Sequence, residues 1–71
     1  MENKYILDKV SDNIRLARLR NRVSQEKLAE MVDISTKYLN MIENHKANPT
    51  IVIVIKICTA LKIELNSIWS D

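Results

Sequence analysis

SQEKLAEMVDISTKYLNMIE, residues 24–43, is the stretch that decides how this chain folds. Ser24 and Ser35 are both helix-capping residues, and each opens a run with apolar side chains at helical spacing. After Ser24 come Leu28 and Ala29; after Ser35 come Leu39 and Ile42. Glu26 sits in the first turn of the first run, where the positive helix end favours an acid. The pattern predicts one helix from Gln25 to Val32 and a second from Thr36 to Asn44, joined by a tight turn. Ala29, a small residue, marks where the two must approach closely.

The second helix of this pair turns Leu39 and Ile42 inward and keeps Thr36, Lys37, Asn40 and Asn44 outside. An exposed helix bearing short hydrogen-bonding side chains fits a DNA major groove. Threonine bonds either kind of base edge or touches a thymine methyl, lysine suits the guanine acceptors, and asparagine pairs with adenine. Thr36, Lys37 and Asn40 are therefore the expected base-reading residues, against the plainer reading of a solvated helix face. The pair reads as a helix-turn-helix.

Composition bounds the rest. Seventy-one residues make one small domain, 46% apolar, with no linker, repeat or low-complexity segment dividing it. Such a domain buries roughly 60–65% of its unfolded surface. The longest apolar run, Ile51 to Ile55, is far shorter than the roughly 20 residues of a membrane span. No charged-then-apolar leader opens the chain, so a cytoplasmic location is expected. One cysteine and one histidine build neither an internal disulfide nor a structural zinc site. With no glycine, every glycine-rich phosphate loop is excluded. No acid, base and nucleophile cluster together, so no catalysis, cofactor, metal or small-molecule substrate is expected. The net charge of +2 is a modest hint of an anionic partner. Arg15, Arg18, Arg20 and Arg22 follow one another without an intervening acid, just before the helix pair, where they would attract phosphates.

Val10, Ile14 and Ala17 predict a first helix from Asp8 to Asn21; Met1 to Leu7 either extends it backwards or forms an arm. Ile51 to Ile55 is an unbroken β-branched run, which propensity alone would make a strand. Two features argue for a helix from Ile51 to Leu61: Asn48-Pro49-Thr50 is a turn ending in a cap, and Ile51, Val54, Ile57, Cys58 and Leu61 form a helical stripe. The β-branched residues cost helix propensity by about 0.3–0.5 kcal/mol each, which burial offsets. On this stripe Cys58 reads as a buried inert thiol. A short last helix is expected around Asn66 to Ser70.

From Val10 to Trp69 the chain resembles the phage-repressor and Cro-like (XRE) helix-turn-helix family. The resemblance runs through Arg18, Ser24-Gln25-Glu26-Lys27-Leu28-Ala29, Ile34-Ser35, Ile42-Glu43-Asn44, Asn48-Pro49-Thr50, Ala60-Leu61 and Ile68-Trp69, without a gap. It implies an all-α, five-helix lambda-repressor-like domain spanning residues 1–71, with the helix-turn-helix formed by the second and third helices. It also implies a helix over Ile51–Leu61. By the same resemblance Gln25 would anchor a helix end to a DNA phosphate, with Asn44, Lys46 and Asn48 as further backbone contacts. Arg18 and Glu43 match a structural ion pair. Family glycines are replaced by Arg22, Asp33 and His45, each expected to need a positive φ at about 1 kcal/mol.

Val52, Ile53 and Ile55 fall off the inward stripe, and family members commonly pair through this end, so these three form the expected homodimer interface. The expected function is sequence-specific binding to double-stranded DNA by a small transcriptional regulator, a repressor acting as a dimer. The alternative is a protein-interaction module, such as an antitoxin, whose main work is gripping a partner protein through its apolar surface.

Overall fold

The structure, a computed structural model, describes residues 3–70 and is all-helical. Four α-helices, α1 (Asn3–Arg20), α2 (Gln25–Val32), α3 (Thr36–Glu43) and α4 (Ile51–Leu61), precede a 3₁₀ turn over Leu65–Trp69. The expected fifth α-helix is thus corrected to a 3₁₀ turn. Its Ile68 is fully buried, and the Asn13 amide of α1 donates to the carbonyls of Ile68 (2.7 Å) and Ser70 (2.9 Å). Those carbonyls are taken from outside the segment, which is itself short, so a 3₁₀ turn suffices.

The first helix begins earlier than expected, at Asn3. Of the two readings for the start of the chain, Tyr5-Ile6-Leu7 takes the helical one; Met1 and Glu2 lie outside the described residues. This end is held by local pairs on the helix surface, Lys4 to Asp8 at 3.4 Å and the Lys9 ammonium 5.6 Å from the Tyr5 ring centre.

Ile14, Leu28, Leu39, Ile42, Ile57 and Ile68 are the largest fully buried side chains, so every helix and the 3₁₀ turn feeds one core. The β-branched run is helical: Thr50 caps α4 by accepting from the Ile53 amide at 3.2 Å, and Val54, Ile57, Cys58 and Leu61 are buried. Burial pushes the Cys58 thiol above its ordinary pKa, which keeps it protonated and unreactive. The stripe differs from expectation at its first position. Ile51 projects past the end of the core and stays 58% exposed, whereas Ile53 is half-buried against it.

All four helices stop in the same way although the chain has no glycine. Arg22, Asp33, His45 and Lys62 take φ of 56°, 60°, 63° and 58°. In each case the following amide bonds back across the last turn: Val23 to Arg18, Ile34 to Ala29, Lys46 to Met41 and Ile63 to Cys58. Val23, Ile34 and Ile63 then pack on the core, which offsets the cost of a left-handed non-glycine residue. Lys62 lacked any sequence signal because a lysine does not announce this conformation. Lys62→Gly should raise stability by about 0.5–1 kcal/mol in urea denaturation. His45→Gly should gain less, because it also removes the side-chain contacts described below. A loss on Lys62→Gly would show that the turn carries no such strain.

Candidate nucleic-acid interface

Ser24 and Ser35 hold the two helix starts, accepting from the Lys27 and Tyr38 amides at 3.0 Å each. Leu28, Ala29 and Val32 of α2 and Leu39 and Ile42 of α3 are buried, and this fixes the roll of both helices. The roll leaves Thr36, Lys37 and Asn40 exposed on the outer face of α3. Asn44, Lys46 and Asn48, expected to grip the backbone, are exposed just beyond it in the chain. Asn44 also caps α3, its amide donating to the Asn40 carbonyl at 2.8 Å. Tyr38 lies half-buried beside this surface with its hydroxyl 3.5 Å from the Asn48 carbonyl, at the junction with α4.

Behind the surface is a buried ion pair. Arg18 donates through Nε to Glu43 Oε2 (2.8 Å) and through Nη2 to Oε1 (3.0 Å), a bidentate fork. Its third nitrogen donates to the Val23 carbonyl at 2.9 Å. The side chains are 11% and 1% exposed, so the pair ties α1 to the end of α3 inside the protein rather than on its surface. Gln25 joins it, with Nε2 donating to Glu43 Oε1 at 3.0 Å while Oε1 accepts from Asn40 Nδ2 at 3.3 Å. The half-buried Gln25 amide is thus engaged within the protein, with one N–H left over for a phosphate.

The arginine run does not form one patch. Arg18 is consumed by Glu43, Arg15 lines a cleft with Asn44 and His45, and Arg20 lines a separate groove with Asn13 and Ile63. A helix turns about 100° per residue, so neighbours in sequence face different ways. His45 is likewise turned inward on the molecule, its Nε2 2.7 Å from Asp12 and its Nδ1 3.3 Å from Asp8. No sequence signal announced this clasp or the Gln25–Asn40 contact, since both join residues far apart in the chain.

On α4, Ile51, Val52 and Ile55 are 58%, 56% and 45% exposed, and Ile55 borders a shallow groove with Met31 and Ala60. Among the described residues no three His, Cys, Asp or Glu side chains come together as a metal set, and no helix is long and apolar enough to cross a membrane.

A paired-helix unit with a polar outer helix defines a DNA-binding class, and the comparisons agree. The family model described as Helix-turn-helix matches residues 14–68, more than half of the chain, and the chain belongs to that family. It is a DNA-binding transcriptional regulator of the XRE type. No curated protein sequence matches it significantly. Among solved structures, the restriction-modification controller protein C.AhdI from Aeromonas hydrophila is 31% identical, with TM-score 0.82 over 87% of this chain and 94% of that one. The clp gene regulator ClgR from Corynebacterium glutamicum is 21% identical, with TM-score 0.85 over 89% of this chain and 67% of its own. The hypothetical transcription factor NHTF from Neisseria is 22% identical, with TM-score 0.85 over 99% of this chain and 82% of its own. The last two share the fold.

Proposed function

We propose that the chain binds double-stranded DNA sequence-specifically as a homodimeric repressor, with residues 1–71 acting as a single unit. The observation that carries this is the exposed Thr36–Lys37–Asn40 face of α3, backed by the buried Arg18–Glu43 fork. Such a face is rigid and polar, as base readout requires. Thr36, Lys37 and Asn40 read base edges, and Asn44, Lys46, Asn48 and the spare Gln25 N–H hold phosphates. Similarity to a restriction-modification controller protein supports a regulator of that kind.

Pairing runs through α4. The exposure of Val52 and Ile55 supports them as the interface; half-buried Ile53 contributes its outer edge, and exposed Ile51 extends the patch. A two-fold dimer places two α3 helices about one helical turn apart, so half-sites are spaced by about 10–10.5 base pairs. Ile55→Lys should yield a folded monomer by sedimentation, with affinity for the paired site reduced about tenfold or more. The unaltered protein remaining monomeric at high micromolar concentration would contradict the dimer. Weak binding to every duplex at moderate salt would favour the protein-gripping alternative.

A further inference from the structure

The hydrogen bonds around Gln25 run in one direction. Glu43 spends both oxygens on Arg18, and a carboxylate only accepts. Gln25 must therefore turn its amide nitrogen to Glu43, which it does at 3.0 Å, and this leaves its oxygen facing Asn40, three residues earlier on α3. Asn40 in turn must offer nitrogen to that oxygen, and Nδ2 donates at 3.3 Å. The exposed Asn40 amide is left with one free N–H on the Gln25 side and Oδ1 on the other.

We propose that Gln25 is a specificity-determining positioning residue: it passes the acceptor-only character of buried Glu43 to Asn40 and so commits Asn40 to an adenine edge. The inference rests on the reading of α3 as the element in the major groove. Adenine presents an acceptor, N7, beside a donor, its N6 amino group, and an amide with nitrogen and oxygen both outward matches the pair. Guanine presents two acceptors, O6 and N7. An asparagine free to rotate serves guanine by turning its NH₂ group outward; one held by Gln25 leaves its oxygen facing an acceptor.

The test is an affinity ratio, adenine over guanine, at the base pair whose preference Asn40→Ala abolishes. The unaltered protein should favour adenine by about tenfold or more. Gln25→Leu should bring the ratio below about threefold, and Gln25→Leu combined with Asn40→Ala should be no less selective than Asn40→Ala alone. Gln25→Lys offers only donors, so it should draw Oδ1 of Asn40 toward itself, turn both N–H groups outward and move the preference toward guanine. Lysine is tolerated at a half-exposed helix start, so this variant keeps the test open if the leucine variant folds poorly. Gln25 variants that bind both duplexes more weakly by the same factor, with the ratio intact, would overturn the proposal and leave Gln25 a phosphate contact only. If Asn40→Ala alters preference at no base pair, the reading of α3 falls and the proposal with it.

Discussion

Arg18→Ala is expected to remove about 3–5 kcal/mol of folding stability, because it strands a charge inside the protein. Glu43 is 1% exposed on its side chain, and Arg18 supplies the only cation it touches among the described residues. The Gln25 amide remains, but one neutral donor does not replace a bidentate guanidinium. For a domain of this size each kcal/mol is roughly 4–8 °C in Tm, so the fall should be about 12 °C or more. The exposed Lys27–Glu30 pair, at 3.4 Å with side chains 63% and 75% exposed, provides the contrast. Breaking it should cost well under about 0.5 kcal/mol. Thermal melts of the two variants side by side decide the matter, and an unchanged Tm for Arg18→Ala would remove the internal anchor from the account.

Affinity for duplex DNA should fall roughly 10²–10³-fold between about 50 and 200 mM salt. On the proposed dimer, Lys46 and exposed arginines such as Arg15 would make about 4–6 phosphate contacts, each displacing condensed counterions, for a log–log slope near −4 to −5. Lys46, exposed beyond the end of α3, is proposed as one of these contacts. Lys46→Ala should lower the slope by about one and weaken all duplexes alike. A slope near zero in titrations at several salt concentrations would leave the electrostatic part unsupported.

The parts of the fold that were legible in the chain are those with local chemistry. Ser24, Ser35 and Thr50 announce helix starts because their hydroxyls cap within three residues, as they do here. The β-branched run over Ile51–Ile55 gave way to its cap and helical stripe, because burial of Val54, Ile57, Cys58 and Leu61 outweighs propensity. The inward or outward placement of Ile51 and Ile53 was not legible. A stripe gives direction around a helix but not how far the core extends along it. The last segment was legible as a short element and not as a 3₁₀ turn, since the Asn13 amide that takes its carbonyls lies far away in sequence. In the candidate site, the exposure of Thr36, Lys37 and Asn40 on α3 was legible from their spacing. That Gln25 faces Glu43 and Asn40, or that His45 turns to Asp8 and Asp12, depends on how α1, α2 and α3 pack.

The central claim is that α3 reads base sequence, and selection of bound duplexes from a random pool tests it most directly. The unaltered protein should enrich a two-fold motif with half-sites about 10–10.5 base pairs apart. A protein carrying Thr36→Ala, Lys37→Ala and Asn40→Ala, with its core and caps untouched, should stay folded and enrich no motif or a different one. Recovery of the same motif by both proteins, or of none by the unaltered one, would contradict the account.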